Sequence, residues 1–197
     1  LDPVRFLGNR STGRMGFAIA EAARDRGATV TLVAGPTALS APPGIDFIAV
    51  RSATDMDAAV QARASEVDVV VMAAAVADYR PEAPADQKIK KTEGPLQLTL
   101  VRNPDILAGL GKARQGSRPT LVGFALETSD VVANAQRKLA RKGADLIVAN
   151  HADDGFGGSD NLVTLVDATG AEPLARMSKR GVAERILDRI QALRGSG

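Results

Sequence analysis

The sequence contains no cysteine and only one histidine, His151. The lack of cysteine excludes a disulfide framework, a cysteine nucleophile and thiolate ligands for a metal. It also fits a reducing compartment, so we expect a cytoplasmic protein. A lone histidine on a loop is not expected to act in catalysis, and neither a Ser-His-Asp arrangement nor a cluster of metal ligands stands out. The sequence therefore assigns no metal ligand.

Long apolar runs and a strong net charge are also missing. The longest uncharged apolar run, residues 69–77, has nine residues, whereas a membrane-spanning helix needs about 20, and no signal peptide opens the chain. The 25 basic and 23 acidic side chains leave a formal net charge of +2. We therefore expect neither a membrane nor a nucleic acid as a partner, and any anion site must come from a local arrangement of charges.

Apolar strands alternate with amphipathic helices along the 197 residues. This alternation predicts a single α/β domain, residues 1–197, with a doubly wound, mostly parallel, Rossmann-like sheet. Residues 67–77, "VDVVVMAAAVA", are predicted to form a central strand, and residues 161–175 an antiparallel edge hairpin. Residues 79–95 contain prolines and no apolar periodicity, and they predict a protruding arm.

The opening residues "LDPVRFLGN" read as a loop, although a nucleotide-binding α/β unit should begin with a strand. We therefore expect a further strand upstream that is not included here. Two later helices are predicted from their capping residues. One begins near Asn103 with Pro104 in its first turn, and the other is capped by Thr128 or Ser129.

The glycines of the opening stretch, Gly8, Gly13 and Gly16, follow the spacing Gly-x4-Gly-x2-Gly before a predicted helix. They let the backbone approach a ligand, while Asn9 and Ser11 supply hydrogen-bonding groups. Because a helix N-terminus favours negative charge, the stretch predicts a site for a phosphate or a negatively charged intermediate. A tight loop with a Ser/Thr cap is the alternative without a ligand.

An NAD(P)-dependent reductase is the main alternative function, but the residues argue against it. The glycine spacing departs from Gly-x-Gly-x-x-Gly, and the strand that contains Val33 is followed by neither a carboxylate nor an arginine for the ribose. A Tyr-x-x-x-Lys dyad is missing, since Tyr79 is followed four residues later by Ala83. A non-catalytic nucleotide-binding or assembly domain is a third interpretation.

Charged groups lie where a nucleotide would need them. Asp78 follows the predicted central strand and can accept a hydrogen bond from ribose or assist a metal ion. "KIKK", residues 88–91, lies in the predicted arm, where it either faces water or closes over a triphosphate.

One predicted helix carries two basic stripes. Lys138 and Lys142 are four residues apart and share one helix face, and Arg137 and Arg141 form the adjacent stripe. Such stripes are usually solvated, although a pair of lysines can also reach the phosphates of a nucleotide. The sequence alone leaves both possibilities open.

Taken together, these stretches resemble a known family. "LDPVRFLGNRSTGRMGFAIA", "AAAVADYRP", "KIKK", "NPDIL", "GFALET" and the "KLARK" helix occur in the order and near the spacing of the ligase domain of the bacterial bifunctional coenzyme A flavoprotein. That domain is phosphopantothenate–cysteine ligase, and the resemblance runs from Leu1 to about Leu193. The family's upstream strand with its Gly-Gly-Thr loop and its fused FMN-dependent decarboxylase domain are absent from this sequence.

The resemblance implies a ligase of coenzyme A biosynthesis. CTP would activate the carboxylate of 4′-phosphopantothenate as an acyl-cytidylate with release of pyrophosphate, and cysteine would then form the amide with release of CMP. The resemblance also implies Mg²⁺ and a homodimer formed through the arm. A higher oligomer is expected when the domain is fused to the decarboxylase.

The resemblance further implies roles for individual residues by matching position. Asn9 would contact the acyl-cytidylate carbonyl, and Lys88 would act on the triphosphate or the intermediate; these two are the expected catalytic residues. Arg5, Ser11 and Gly13 would join Asn9 in binding the substrate. The residues expected to bind CTP are Met72, Ala73, Ala74, Asp78, Lys88, Pro104, Asp105, Ile106, Leu107, Phe124, Lys138 and Lys142.

Overall fold

The computed structural model describes residues 1–91, 93–127, 129–151 and 160–195. The helices in these ranges are α1 (Arg14–Asp25), α2 (Ala53–Gln61), α3 (Ile106–Ala113), α4 (Val131–Lys142) and α5 (Lys179–Gly195). The strands are β1 (Thr31–Ala34), β2 (Asp46–Ala49), β3 (Val69–Met72), β4 (Tyr79–Pro81), β5 (Leu100–Arg102), β6 (Thr120–Glu127), β7 (Leu146–His151), β8 (Asp160–Asn161), β9 (Val163–Asp167), β10 (Gly170–Pro173) and β11 (Met177–Ser178).

A five-stranded sheet in the order β10-β9-β7-β6-β3 forms the centre of the molecule. Strands β3, β6 and β7 are parallel, while β9 is antiparallel to both β7 and β10. The predicted edge hairpin is confirmed, since Gly170 pairs with Asp167 across a two-residue turn. The fold is therefore the expected mostly parallel α/β sheet with an antiparallel edge.

Helices cover both faces of this sheet. On one face, Val122 and Val148 pack with Ile19 of α1 and Ile186 of α5 in a single buried cluster. On the other face, α2, α3 and α4 cover the remaining side chains of β6 and β7, for example Leu121 and Ile147. Side chains of a strand alternate between faces, so these strands are apolar throughout.

The parallel pair β1–β2 lies apart from the five-stranded sheet, and no ladder joins it to β3 within the described residues. The four residues of β3, Val69–Met72, are only half-buried, whereas Leu146–Ala149 of β7 are buried. A central parallel strand should be buried on both faces and paired on both edges. The expected upstream strand is compatible with this open edge of β3 and stays a prediction.

Strand β3 ends at Met72, five residues earlier than the sequence predicts. In the segment that follows, side chains rather than a neighbouring strand bind two of the carbonyl groups. Asn9 Nδ2 donates to the Val76 carbonyl at 3.2 Å, and Asn103 Nδ2 donates to the Ala77 carbonyl at 2.8 Å. The small residues after β3 thus form a loop at the carboxyl edge.

Two predicted helix starts also need correction. The cap of α3 is Asp105, whose Oδ1 accepts a hydrogen bond from Ala108 N at 3.1 Å, so Pro104 lies before the helix. The N-cap of α4 is Asp130, which has a φ of 48° and makes no capping hydrogen bond with its side chain. Ser129 is therefore not the cap, and Thr128 lies outside the described residues.

The predicted arm begins on β4, which pairs antiparallel with β5 beyond the end of the arm, so that Tyr79 faces Arg102. The opening segment holds the arm in place: Asp2 accepts hydrogen bonds from Arg5 and from Ile89 N at 3.0 Å. The hydrogen bond from Arg5, together with those from backbone amides, holds the pKa of Asp2 well below its usual range against the opposing effect of burial.

No helix in the described ranges is both long and apolar enough to span a bilayer.

Close contact between α3 and α4 yields a stability prediction. A Cβ added at Gly111 would overlap the backbone carbonyl oxygen of Lys142, whereas one at Gly109 would meet the flexible end of Gln61 at 3.2 Å. We expect Gly111→Ala to lower the free energy of unfolding by about 1–3 kcal/mol, because the helices must separate. Gly109→Ala should leave the free energy of unfolding unchanged or raise it by up to about 1 kcal/mol, because alanine has the higher helix propensity.

Urea denaturation of both variants measures this difference. The two substitutions add the same methyl group to the same helix, so propensity cancels between them. Equal stabilities for the two variants would show that α3 and α4 are not held at contact distance.

Candidate active site

A cleft of about 460 Å³ opens at the carboxyl edge of β3 and β6. This is where open α/β sheets bind ligands, and the volume lies within the range of about 300–1,000 Å³ usual for small-molecule sites. Most of the residues expected to bind CTP line it: Met72, Ala74, Asp78, Pro104, Asp105, Ile106, Leu107, Phe124, Lys138 and Lys142.

The first turn of α3 forms one wall of this cleft, and Asp105 fixes its position. One carboxylate oxygen of Asp105 caps the helix through Ala108 N, and the other forms an ion pair with Lys142 of α4. Burial acts to raise the pKa of Asp105, but the hydrogen bonds and the nearby positive charges of Lys142 and Arg141 hold it below its ordinary value. Asp105 therefore stays ionised and joins α3 to α4.

The same wall contacts the sheet at a glycine. A Cβ added at Gly123 of β6 would lie 2.5 Å from Leu107 Cδ2 and 3.0 Å from Ile147 Cδ1. The missing side chain thus lets Leu107 pack directly on the strand. Helix α3 consequently presents its N-terminal turn, which favours negative charge, to the cleft.

Lys138 lies on the opposite wall and donates from Nζ to the Phe124 carbonyl at 2.6 Å. Burial, followed by the positive charges of Lys142 and Arg141, lowers the pKa of Lys138, and the opposing effect of Glu127 does not cancel this. Lysines held close together in a partly buried cleft are a favourable place for a multiply charged anion.

The loop after β3 closes the cleft and is held by Asn103. Besides the contact of its side chain with Ala77, Asn103 donates from its backbone N to the Asp78 carbonyl at 2.8 Å. Arg80 Nη1 donates to the Arg102 carbonyl at 2.5 Å, just before Asn103. The carboxylate of Asp78 therefore lies on a loop fixed against the start of α3.

The glycine-containing opening loop reaches the same edge from α1. Gly13 is the N-cap of α1, has a φ of 75° and has no side chain to cap the helix. Its backbone N donates to Ser11 Oγ at 3.3 Å. Asn9 contacts Val76, which itself lines the cleft. Ala73 faces α1 rather than the cleft, since a Cβ at Gly16 would lie 3.7 Å from the Ala73 Cβ.

Six of the expected site residues do not line the cleft: Arg5, Asn9, Ser11, Gly13, Ala73 and Lys88. Arg5 pairs with Asp2 and donates to the Ile89 carbonyl at 2.9 Å, so it holds the arm. Lys88 is exposed on the arm next to that contact. Their roles in binding and catalysis stay predictions.

Several lining residues were not singled out from the sequence as binding residues: Val76, Ala77, Tyr79, Arg102 and Asn103. Asn150 is a further polar residue missed at this edge. It is only 8% exposed, and its Oδ1 has no hydrogen-bond partner within the described part of the chain. It comes near the end of β7, so the rule that singled out Asp78 at a strand end would have found it too.

A second cavity of about 360 Å³ adjoins the first at Lys138, which lines both. Its other lining residues are Glu127, Asn134, Arg137 and Arg141. The described ranges contain no group of three or more His, Cys, Asp or Glu side chains that could hold a metal ion. Mg²⁺ usually needs only one or two carboxylates plus substrate phosphates, a donor set that Asp78 in the cleft fits.

Known proteins are similar to this chain along nearly its whole length. The family model described as "DNA/pantothenate metabolism flavoprotein C-terminal domain" matches residues 1–193. The bifunctional coenzyme A biosynthesis protein CoaBC of Vibrio vulnificus is 46% identical over 200 residues, which covers 99% of this chain and 50% of that protein. CoaBC of Bacillus subtilis is 46% identical over 198 residues, covering 98% and 48%. The chain spans about half the length of the curated relatives it matches.

Solved structures agree with this match. The crystal structure of the C-terminal domain of a CoaBC protein has a TM-score of 0.85 and 40% identity, and the match covers 100% of this chain and 90% of that chain. A Cab2 mutant in complex with phosphopantothenate-cysteine has a TM-score of 0.78 over 98% of this chain and 82% of that one, but its 15% identity shows the fold alone. On the family match and the CoaBC similarity, this chain belongs to the DNA/pantothenate metabolism flavoprotein C-terminal domain family.

Proposed function

We propose that this chain is a CTP-dependent phosphopantothenate–cysteine ligase that works in coenzyme A biosynthesis in the cytoplasm. The observation that carries the proposal is the cleft in which Lys138, Lys142, Asp78 and the first turn of α3 meet at the carboxyl edge of the sheet. The similarity to CoaBC proteins along nearly the whole chain supports the pathway.

In the proposed first step, a carboxylate oxygen of 4′-phosphopantothenate attacks the α-phosphorus of CTP. The bond to the bridging oxygen breaks, and pyrophosphate leaves with the electron pair, so an acyl-cytidylate remains. Two like unit charges 4 Å apart repel by about 1 kcal/mol in water and about 4 kcal/mol at an effective dielectric of 20. Lys138 and Lys142 have the sign needed to offset this repulsion.

In the proposed second step, the amine of cysteine attacks the acyl carbon, the bond from that carbon to the phosphate oxygen breaks, and CMP leaves with the electron pair while the amine loses one proton. Negative charge grows on the acyl oxygen, and an amide donor fixed near it lowers the barrier. Asn9 fits this role because its side chain contacts Val76 in the loop that lines the cleft. The amide nitrogen that binds Val76 is the donor the oxyanion would need.

The proposed place for the cytidine lies between the first turn of α3 and the ends of β3 and β6. Pro104, Ile106, Met72 and Phe124 supply apolar surface there, and backbone groups are available to distinguish the base. When bound, Mg²⁺ would neutralise phosphate charge, and Asp78 is the lining carboxylate free to hold it, since Asp105 is bound to Lys142.

We further propose a homodimer formed through the arm, within a larger oligomer in a fusion with a decarboxylase domain. Leu96, Leu98 and Leu100 alternate along the returning side of the arm and are 53%, 44% and 44% exposed. Side chains two residues apart in an extended segment share one face. Three leucines on one exposed face give a second copy an apolar surface to cover.

The proposed activity is tested by incubating the protein with CTP, Mg²⁺, 4′-phosphopantothenate and cysteine. We expect pyrophosphate release to depend on both CTP and phosphopantothenate, and ATP to replace CTP poorly. No pyrophosphate with either nucleotide, together with a thermal shift on addition of NADPH, would support the reductase instead.

The role of Asn9 yields a prediction that separates the two steps. Asn9→Ala should still release pyrophosphate in a first turnover but form product about 10²- to 10³-fold more slowly, because it lacks one oxyanion donor. Rapid quench resolves the two rates. An equal fall in pyrophosphate release and product formation would mean that Asn9 acts before the second step.

The lowered pKa of Lys138 yields a prediction about pH. Only the protonated lysine attracts a triphosphate, and its pKa lies below the ordinary lysine value of 10.5 because of burial and its positive neighbours. The affinity for CTP should therefore weaken as pH rises, beginning at a lower pH than for an ordinary lysine. Calorimetric titrations from about pH 7.5 to about pH 10 measure this.

Lys138→Arg is the matched control, because a guanidinium stays charged over this range. Its CTP affinity should change less with pH than that of the wild type. Identical pH profiles for the wild type and Lys138→Arg would show that binding does not use the charge of Lys138.

A further inference from the structure

Arg102 lines the cleft on β5, beyond the end of the arm, and neither of the two proposed steps uses it. Arg102 is exposed, and its guanidinium makes no hydrogen bond or ion pair with any residue that the structure describes. Lys138 and Lys142 of the same cleft, by contrast, already bind the Phe124 carbonyl and Asp105. Among the described lining residues, Arg102 is thus the cation that no protein group occupies.

The backbone fixes the position from which the Arg102 side chain extends. Arg80 Nη1 donates to the Arg102 carbonyl at 2.5 Å, and Tyr79 lies directly opposite Arg102 in the antiparallel pair β4–β5. Directly opposite side chains of such a pair extend from the same face. Tyr79 also lines the cleft and is 44% exposed. The pair therefore presents an uncovered aromatic ring next to an unpaired positive charge.

This pair belongs to the segment that the proposed oxyanion donor contacts. Asn9 binds the Val76 carbonyl, and Tyr79 comes three residues later in the chain. Asn103, the residue after Arg102, donates to the carbonyls of the two residues between them. An anion bound by Arg102 would therefore lie beside the atoms that react in the proposed second step.

The chemistry of the two remaining substrates decides which anion fits this place. The phosphate of 4′-phosphopantothenate lies at the opposite end of that molecule from its reacting carboxylate. The carboxylate of cysteine, however, is bonded to the same carbon as the amine that attacks. A cation beside the reacting atoms therefore suits the amino acid, and a guanidinium can donate two parallel hydrogen bonds to a carboxylate.

We propose that Arg102 binds the carboxylate of the attacking amino acid, with the ring of Tyr79 packed beside it. This inference rests on the proposed function, in which the amine of cysteine attacks the acyl carbon. The contact holds the amine in position for that attack. It also selects an α-amino acid over a simple amine, because an amine without a carboxylate leaves the guanidinium unpaired.

Arg102→Gln tests this assignment when cysteine is compared with cysteamine, which is cysteine without its carboxylate. We expect kcat/KM for cysteine to fall about 10- to 100-fold in the variant, as is typical when a hydrogen bond to a charged group is lost. For cysteamine, kcat/KM should stay within about twofold of the wild-type value. Pyrophosphate release in a first turnover without an amine should not change, since the amine enters after that step.

Two further variants serve as controls. Arg102→Lys keeps the charge but not the paired donors, so its loss with cysteine should be smaller than that of Arg102→Gln. Arg185→Gln removes an equal charge outside the cleft lining, where Arg185 pairs with Glu172, and should keep the wild-type preference for cysteine. Circular dichroism and thermal unfolding verify that each variant is folded.

The outcomes separate this inference from the proposed function. If the wild type releases no pyrophosphate from CTP and phosphopantothenate, the proposed function itself fails. If the wild type is active and Arg102→Gln uses cysteine equally well, the role of Arg102 is overturned while the function stands. Equal losses with cysteine and cysteamine would also overturn it, because Arg102 would then act on the shape of the cleft. A loss that disappears when pantothenate replaces phosphopantothenate would assign Arg102 to the phosphate of the acid instead.

Discussion

The ion pair between Asp105 and Lys142 is the contact on which the rest of the site depends. One oxygen of Asp105 begins α3 through Ala108, and the other holds the last turn of α4. A single carboxylate therefore positions a helix N-terminus and a lysine on the same cleft. Its negative charge also offsets the repulsion between Lys138 and Lys142, which lie four residues apart on one helix face. In the proposed function, a phosphate that enters the cleft would compete with Asp105 for Lys142.

Small residues make this contact sterically possible. Gly111 of α3 touches Gly143 at the end of α4, where a Cβ on Gly143 would lie 3.5 Å from the Gly111 Cα. Gly143 also has a φ of 60°, a conformation that glycine adopts without strain. Gly123 allows Leu107 to reach the sheet. The backbones of α3, α4 and β6 thus approach closely, so Asp105, Lys138 and Lys142 lie on a rigid support of packed helices.

The sequence was informative about strands and less so about contacts between distant segments. Apolar runs predicted the sheet, and the 3.6-residue period placed Lys138 and Lys142 on one face. Period-two alternation would also have separated Ala73, which faces α1, from Ala74 in the cleft. The cap at Asp105 was missed because Asn103 is an equally good capping residue in isolation. Only the fold shows that the side-chain amide of Asn103 donates to the Ala77 carbonyl instead. The ion pair between Arg5 and Asp2 is likewise seen only in the fold.

The proposed reaction suits a chain with one histidine and no cysteine. Neither proposed step needs a nucleophile from the protein, because the substrate carboxylate and the amine of cysteine attack in turn. What the protein must supply is position and charge of the right sign, which for such reactions carries most of the rate enhancement. In the proposed steps, lysine and arginine would provide that charge without changing protonation. Lys138 lies where the two cavities meet, so burial both lowers its pKa and sets its charge against an anion in the cleft.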